Sequence, residues 1–518
     1  MSLSPFTLIF FPTKGYPCKG VKEVSKINRK KNSGIDERGR SQHDVSCMML
    51  NVCIAAFESE TIGSVKYSVL TVMESLRRKL EEYGQEHLLQ YWHELSQEEK
   101  SILEREILEL DLAELTLYYN RATASLSAVQ NKLDDKVQPI PDNKIVSGKT
   151  CSKEELKQYN VLGLQEVANG RVAVLLLAGG QGTRLGVTFP KGMYEVGLPS
   201  RKTLFQLQAE RIRKLETLAE ECCGKSGNIT WYIMTSEATH DSTVNYLKEN
   251  NYFGLREKNV LAFKQGMLPC FTTNGKIILD EKYKISKAPD GNGGLYRALK
   301  LQGILDDMIQ RYCLSVSTDC GVKVIEKSVP SEPVGVVCKV DDHYQVVEYS
   351  EISKETAELR RDDGRLVYSA ANICNHYFTV DFLLTLGDKH EASMELHGAK
   401  KKIPYVDDNG KKCTPTTPNG IKIEKFVFDV FKFAKNFAAW EGIREEEFSP
   451  LKNADSAKQD CPSTARHDLL QLHKKWLLDA GAQMVNGDVE VSPLRSYAGE
   501  NLSEIAQDQS FEGPCVIE

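Results

Sequence analysis

The fold is decided by residues 172–186, which read Val-Ala-Val-Leu-Leu-Leu-Ala followed by Gly-Gly-Gln-Gly-Thr-Arg-Leu-Gly. A continuous apolar run of this length is typical of a strand that is buried on both faces of a parallel sheet. Glycines directly after such a strand let backbone N–H groups approach phosphate oxygens closely. A turn with a purely structural role is the alternative interpretation of the glycines alone.

Two cations accompany the glycine-rich loop. Arg184 lies inside it, and Lys191 follows in the block Pro190-Lys191-Gly192-Met193. Cations beside backbone donors indicate a ligand with several negative charges, such as a triphosphate or pyrophosphate. The loop has neither the Gly-Lys-Ser/Thr ending of a P-loop nor the third glycine of the dinucleotide fingerprint.

Strands and helices alternate after this loop. The pattern predicts a helix over 203–219, a strand over 229–234, a helix over 240–249 and a strand over 260–263. Such alternation is typical of a doubly wound α/β sheet. Farther along, an alternating β pattern over 333–352 contains Asp341-Asp342 as a hairpin turn. A helix over 464–480 precedes a short β-like tail.

These patterns divide the chain into four parts. Residues 1–72 are expected to form a disordered tail, because their middle is polar and basic with few large apolar residues. Residues 73–150 are expected to be a helical N-terminal region with helices over 74–95, 96–107 and 110–122, the second started by a Ser-x-x-Glu capping box. Pro139 and Pro141 predict a linker. The main α/β domain is expected over 151–481, and a small C-terminal region over 482–518.

Composition excludes several classes of protein. The chain has 518 residues, of which 41% are hydrophobic and 27% charged, and its net charge is -6. This balance is typical of a soluble multi-domain protein, and it argues against a nucleic-acid partner, which usually meets a basic surface. No apolar run reaches the roughly 18–20 residues that span a membrane. Fourteen cysteines without regular spacing favour a reducing compartment, so we expect a cytoplasmic protein.

The wider sequence resembles a known family from about residue 74 to the C-terminus. The blocks that carry the resemblance are Leu177-Ala178-Gly179-Gly180-Gln181-Gly182-Thr183-Arg184-Leu185-Gly186, Gln265-Gly266-Met267-Leu268-Pro269, Pro289-Asp290-Gly291-Asn292-Gly293-Gly294, Val347-Glu348-Tyr349-Ser350-Glu351, Asn372-Ile373-Cys374-Asn375-His376 and Ser449-Pro450-Leu451-Lys452-Asn453-Ala454-Asp455. Together they resemble the UDP-N-acetylhexosamine (UDP-N-acetylglucosamine) pyrophosphorylases, including the "like" paralogue. The resemblance implies a nucleotidyltransferase-type, doubly wound mixed sheet with a helical N-terminal region and a small β-rich C-terminal region.

The resemblance also implies a reaction. Members of this family condense UTP with N-acetylglucosamine 1-phosphate or its galactosamine epimer. The products are a UDP-sugar and pyrophosphate, and Mg²⁺ is the cofactor. Catalysis of such an in-line displacement rests mainly on positioning and on charge neutralisation.

Family positions map onto this chain residue by residue. For the nucleotide, the resemblance implies phosphate contacts from Gly179, Gly180 and Gly182 and uracil recognition by Gln265 and Gly291. It implies catalytic cations at Arg184, Lys191 and Lys452. It also implies an acetamido-sugar pocket, formed by Gly335, Glu348, Asn372, Phe426 and Phe428. Some of these residues also have ordinary interpretations. Phe426 and Phe428 alternate like core positions of a strand, Glu348 could be an exposed strand residue, and Lys452 could be a surface lysine. His376 is expected to be a packed, hydrogen-bonded histidine rather than a catalytic base.

One family block is missing. A Val-Asp-Asn motif, whose aspartate helps to hold Mg²⁺, should follow the helix at 295–311, but the chain passes instead through Leu-Ser-Val-Ser-Thr to Asp319. A strand and its following helix are therefore expected to be absent. Asp319, at the end of this short stretch, is the candidate substitute metal ligand. The shortening has two explanations, a spliced or imperfectly predicted product or a protein that has lost turnover.

Three functions follow from these observations. The first is uridylyl transfer to an N-acetylhexosamine 1-phosphate. The second is a catalytically impaired protein that binds UDP-sugars on the same scaffold, favoured by the missing metal aspartate. The third is a UTP–glucose-1-phosphate enzyme, which shares the glycine-rich loop and lysine but is disfavoured by the blocks around Glu348 and Asn372.

Overall fold

The computed structural model describes residues 73–128, 133–312 and 318–518. The expected disordered tail at 1–72 lies outside the described residues. The α-helices are 73–82, Gln97–Leu108, Leu112–Ala128, Lys153–Ala168, Leu204–Cys223, His240–Glu249, Leu295–Leu301, Ile304–Tyr312, Lys354–Glu358, Val380–Thr385, Arg444–Glu447, Pro462–Asp479 and Ser503–Ala506. None of the helices that are described is both long and apolar enough to cross a membrane.

The apolar run at 172–178 is a strand of a three-stranded parallel sheet. Its strands are Ala173–Leu177, Thr230–Thr235 and Val260–Lys264, in that spatial order. Val174 and Leu176 pack towards the helix Leu204–Cys223, whereas Leu175 packs towards a separate core on the other face. This arrangement confirms the doubly wound α/β prediction. In the part of the chain that the structure describes, Ala173–Leu177 has a strand partner on one edge only.

A seven-stranded mixed sheet is the second sheet of the α/β body, and its residues share a core with the first. Its strands are Val137–Pro139, Ile145–Ser147, Cys320–Glu326, Val336–Val340, His343–Val347, Ala370–Phe378 and Phe437–Gly442. Asp341 and Asp342 have φ angles of 46° and 66° and connect two adjacent antiparallel strands. Two consecutive positive φ angles are those of a type I′ turn, so the predicted hairpin is confirmed.

The predicted linker at Pro139 and Pro141 is wrong. Val137–Pro139 pairs with Val336–Val340, and Ile145–Ser147 pairs with Phe437–Gly442. Pro139 ends a short strand at the edge of the sheet, where its missing N–H costs no ladder hydrogen bond. The helical N-terminal region therefore ends before residue 137.

The predicted helix over 74–95 is also interrupted. The α-helix stops at residue 82, and two 3-10 turns follow at Glu86–Leu89 and Trp92–Glu94. Gly84, with φ of 64°, turns the chain out of the helical direction. The predicted capping box is confirmed, because Ser96 and Glu99 exchange side-chain and backbone hydrogen bonds.

The helical region packs on the body of the protein. Buried Leu80, Leu103 and Ile107 share a core with Phe271 and Ile421. The latter two belong to a small antiparallel sheet of strands Phe271–Thr272, His397–Lys401 and Gly420–Glu424. The remaining short strands form three antiparallel pairs: Met267–Pro269 with Lys287–Pro289, Leu279–Glu281 with Lys284–Ile285, and Tyr405–Val406 with Lys412–Cys413.

The C-terminal region is small and β-rich, as predicted. Met484–Asn486 pairs with Ser510–Glu512, and Val489–Val491 pairs with Cys515–Ile517, both in parallel. The region is attached close to the glycine-rich loop. The fully buried carboxylate of Glu490 accepts hydrogen bonds from the backbone N–H and the hydroxyl of Ser200 at 2.8 and 2.7 Å.

Candidate active site

The glycine-rich loop leaves the carboxyl end of the first parallel strand and closes on itself. The N–H of Gly182 donates to the carbonyl of Phe189 at 3.1 Å, and the N–H of Lys191 donates to the carbonyl of Gly180 at 3.3 Å. A Cβ at position 182 would lie 2.3 Å from Val187, whereas a Cβ at position 180 would meet no atom within 4 Å. Gly182 is therefore required by the loop itself, and Gly180 borders open space.

Lys452 joins the loop cations, although it lies far away in sequence. The ammonium of Lys191 donates to the carbonyl of Leu451, directly before Lys452. Burial, followed by the positive charges of Lys452 and Arg184, lowers the pKa of Lys191 to about 8. Arg184 and Lys452 are exposed. The three predicted cations therefore converge, and a polyanion would relieve their mutual repulsion.

Of the two residues predicted to recognise uracil, Gln265 lies beside this loop and Gly291 lies against Lys425. Gln265 follows the third parallel strand, and its N–H donates to the carbonyl of Thr235 at 2.8 Å. A Cβ on Gly179 would lie 2.9 Å from the side-chain oxygen of Gln265. Gly291 has a φ of 86°, and a Cβ there would lie only 2.4 Å from the carbonyl oxygen of Lys425. The glycine at position 291 is thus required for close approach of two backbone segments.

Asp290 is a residue of this site that the sequence analysis did not assign. Its side chain lies between Gly266 and Gly294, where a Cβ would approach the carboxylate to 2.4 and 2.0 Å. Burial raises its pKa to about 6, and among the described residues no donor reaches its Oδ1. Its position in the block Pro-Asp-Gly-Asn-Gly-Gly was the available signal. We call the residues from Gly179 to Lys191, with Gln265, Asp290 and Gly291, the nucleotide half.

The predicted sugar-binding residues also come together. The N–H of Asn372 donates to the carbonyl of Gly335 at 2.9 Å, and a Cβ on Gly335 would lie 3.0 Å from Glu348 Oε1. Glu348 is half-buried just after a hairpin strand, so the interpretation as an exposed strand residue is wrong. Burial, followed by the charge of Glu351, raises its pKa, while His397 and Lys452 oppose this shift.

His376 holds Asn372 in place. It is 1% exposed, and its Nε2 lies 3.2 Å from Asn372 Oδ1. Burial lowers the pKa of His376 to about 3, so the ring is neutral and its Nε2–H donates to the amide oxygen. His376 is therefore the packed, hydrogen-bonded histidine that the sequence predicted.

Phe426 and Phe428 form a ring pair next to these groups, with centroids 5.3 Å apart. They follow the strand Gly420–Glu424 rather than alternating within it. Phe428 is buried in the main core, whereas Phe426 is only partly buried. The N–H of Val427 donates to Asn292 Oδ1 at 3.0 Å, which connects the pair to the turn that contains Gly291. We call Gly335, Glu348, Asn372, Phe426 and Phe428 the sugar half.

Asp319 is not brought to the other residues. Its carboxylate oxygens accept from the backbone N–H groups of Lys435 and Asn436 at 2.9 and 3.0 Å. Asp319 precedes the strand Cys320–Glu326, whereas Lys327, at the other end of that strand, lies in the electrostatic surroundings of Glu348. A seven-residue strand is roughly 20 Å long. Asp319 therefore does not fit the role of a magnesium ligand at this site, and no chemical step is assigned to a metal.

Comparison with known proteins is consistent with this geometry. The family model described as UTP–glucose-1-phosphate uridylyltransferase matches residues 115–313 and 308–495. The UDP-N-acetylhexosamine pyrophosphorylase-like protein 1 of Xenopus tropicalis is 48% identical over 492 residues, covering 86% of this chain and 96% of that protein. The chain belongs to the UDP-N-acetylhexosamine pyrophosphorylase family.

Other members of the family support the same assignment. The UDP-N-acetylglucosamine pyrophosphorylase of Saccharomyces cerevisiae is 40% identical, covering 82% of this chain and 95% of the yeast protein. The solved structure of the uridine diphosphate N-acetylglucosamine pyrophosphorylase from Trypanosoma brucei, in complex with an inhibitor, has a TM-score of 0.70 at 26% identity and covers 84% of this chain and 94% of that one. The predicted nucleotidyltransferase-type fold is thereby confirmed. The two stretches matched by the family model overlap at 308–313.

Proposed function

We propose that this chain transfers a uridylyl group from UTP to N-acetylglucosamine 1-phosphate or N-acetylgalactosamine 1-phosphate, and forms a UDP-sugar and pyrophosphate. The observation that carries the proposal is the convergence of Arg184, Lys191 and Lys452, with Lys452 within electrostatic range of Glu348. Cations for a polyphosphate and acceptors for a sugar thus occur in one place. Membership of the pyrophosphorylase family supports the same reaction.

The residues supply positioning and charge. A phosphate oxygen of the sugar 1-phosphate attacks the α-phosphorus of UTP, a new P–O bond forms, and the bond to the β-phosphate oxygen breaks. The electron pair leaves with pyrophosphate, whose growing charge Arg184 and Lys191 would neutralise. The attacking oxygen is already ionised, so no general base is required. The neutral, buried His376 agrees with this scheme.

Recognition of the substrates is divided between the two halves. Gln265 would read the uracil edge, and the turn at Gly291 would leave room for the ring. Glu348 would accept hydrogen bonds from sugar hydroxyls, and Asn372 would orient the acetamido group against Phe426.

Magnesium is expected from the family alone, and we propose that it would be required for turnover. All ten described cysteines are free thiols, which supports a cytoplasmic location.

The alternative function is binding of a UDP-sugar without turnover. Three observations favour it: the unpaired edge of Ala173–Leu177 within the described residues, the position of Asp319, and the division of the family match into two stretches that overlap at 308–313. The test is pyrophosphate release by the purified chain with UTP, Mg²⁺ and either sugar 1-phosphate. Release supports the enzyme. A folded chain that binds UDP-N-acetylglucosamine but releases no pyrophosphate supports the binding protein.

A further inference from the structure

A histidine outside the predicted site packs on its aromatic wall. His397 begins the strand His397–Lys401, and its ring stacks on Phe426 with centroids 4.2 Å apart and planes 23° from parallel. Phe426 in turn contacts Phe428 at 5.3 Å. Three rings therefore form a continuous wall in the sugar half.

One carboxylate oxygen holds both members of the first stack. Asp429 Oδ2 lies 2.9 Å from His397 Nε2 and accepts the backbone N–H of Phe426, also at 2.9 Å. Asp429 is 9% exposed and begins the 3-10 turn Asp429–Phe433. Because the same oxygen fixes the backbone of Phe426 and the ring of His397, it sets the angle between the two rings.

The surroundings of His397 favour its protonated form. Burial alone would lower its pKa, but the hydrogen bond and charge of Asp429 outweigh burial, and Glu395 and Glu351 act in the same direction, so the pKa is raised. Glu348 also lies within electrostatic range of His397. Lys432, which faces the same cluster, pairs with Glu395 at 3.0 Å. A cationic ring over an aromatic face is attracted to it.

A bound cation is the other interpretation of this cluster. The ligand atoms of Glu395, His397 and Asp429 all lie within 4.8 Å of one another. However, Asp429 Oδ2 already accepts two hydrogen bonds, and Glu395 is exposed and paired with Lys432. Because two donors already occupy Asp429 Oδ2, we interpret the cluster as a hydrogen-bonded network.

We propose that His397, held by Asp429, is a positioning residue that sets the plane of Phe426 and so determines affinity for the N-acetylhexosamine unit. The proposal rests on the function proposed above and adds a residue to the sugar half. A substitution of His397 should change only the affinity for the sugar, because within the described residues His397 contacts no residue of the nucleotide half. The relevant quantity is the sugar gain, defined as the Kd of UDP divided by the Kd of UDP-N-acetylglucosamine.

The test is calorimetric titration of the full chain with UDP and with UDP-N-acetylglucosamine, from pH 5.5 to 9. In His397→Gln we expect the sugar gain to fall about tenfold, the size expected for one lost cation–aromatic contact. The affinity for UDP should not change. In the wild type the gain should fall as pH rises through the raised pKa of His397, because the cation is then lost. Burial also raises the pKa values of Glu348, Glu351 and Asp429, so the alkaline fall is assigned to histidine only if His397→Phe abolishes it.

The chain offers a matched control. The ring of His390 stacks on Phe433 at 4.2 Å and 17°, outside the sugar half. His390→Gln should leave the sugar gain and its pH dependence unchanged. His397→Phe, which keeps a stacked ring without its charge, should have a pH-independent gain and serves if the glutamine variant does not fold.

The outcomes separate the two proposals. An unchanged sugar gain in folded His397→Gln or His397→Phe, with the wild-type pH profile retained, overturns the role of His397. A wild-type chain that binds UDP as tightly as UDP-N-acetylglucosamine overturns the role of His397 alone, whereas one that binds neither ligand overturns the proposed function itself.

Discussion

The two halves of the candidate site are built in different ways. The phosphate-binding part of the nucleotide half is one continuous loop, closed by hydrogen bonds between Gly180, Gly182 and residues less than twelve positions away. The sugar half is assembled from segments around Gly335, Asn372 and Phe426, which separate strands and turns bring together. The loop presents cations, whereas the sugar half presents a half-buried acid and aromatic rings. Charge therefore dominates the first half, and shape and hydrogen bonding dominate the second.

The largest effect should come from the loop cation. Lys191→Met should lower kcat/KM about 10²–10³-fold, as expected for a lost charge contact to a leaving group. The melting temperature should not fall, because burial and neighbouring cations already disfavour the lysine charge and lower its pKa to about 8. In the wild type, activity should decline as pH rises through this value, since the neutral amine no longer balances pyrophosphate. Steady-state kinetics and thermal denaturation measure both quantities.

The exposed lysine of the helix His240–Glu249 provides the control for this variant. Lys248→Met should keep full activity and the same pH profile. Loss of folding in Lys191→Met, or activity equal to that of the control, would mean that the cation cluster is structural.

A comparison of two loop glycines should give the next effect. Gly180→Ala should fold normally, because its Cβ meets no atom within 4 Å, but it should weaken UTP binding at least about tenfold by entering the space next to the phosphate donors. Gly182→Ala should instead be destabilised, because its Cβ would lie 2.3 Å from Val187. Calorimetric binding and melting curves of both variants distinguish a ligand site from a structural turn. Unaltered UTP affinity in Gly180→Ala would favour the structural turn.

A substitution in the sugar half should have a smaller effect, and that effect should concern the sugar 1-phosphate rather than UTP. Glu348→Gln should raise KM for the sugar 1-phosphate about tenfold, because the amide replaces one charged acceptor. The KM for UTP should change little. Asp408→Asn, at an exposed position in a hairpin, is a neutral comparison. An equal rise in both KM values for Glu348→Gln would show that the two halves are not separate.

The smallest effect should be a pH-dependent change in stability at Asp290. Its pKa is raised to about 6 by burial, so the native state retains a proton that the unfolded chain loses near pH 4. Stability from this group is therefore present at low pH and is lost as pH rises to about 6. The melting temperature of Asp290→Asn minus that of the wild type should be larger at pH 7.5 than at pH 4.5. A melting-temperature difference that is constant between these pH values would contradict the buried-acid assignment.

Local sequence patterns were sufficient to predict the glycine-rich loop, the parallel strands, the hairpin at Asp341 and Asp342, and the capping box at Ser96. Each depends on neighbours within a few residues, whose propensities and hydrogen bonds act without the rest of the chain. The family resemblance added the residues of the sugar half, which no local pattern connects. The same reasoning failed at Pro139, because pairing with a strand two hundred residues away overrides a proline signal.

The folded chain was needed for the remaining properties. The lowered pKa of Lys191, the raised pKa of Asp290 and the stack of His397 on Phe426 depend on burial and on contacts between distant segments. Asp319 is the opposite case. Its carboxylate is a suitable metal ligand, but its hydrogen bonds place it at the end of a strand that lies away from the site. A one-dimensional pattern specifies which groups are available. Distance and desolvation, which arise only on folding, specify what those groups do.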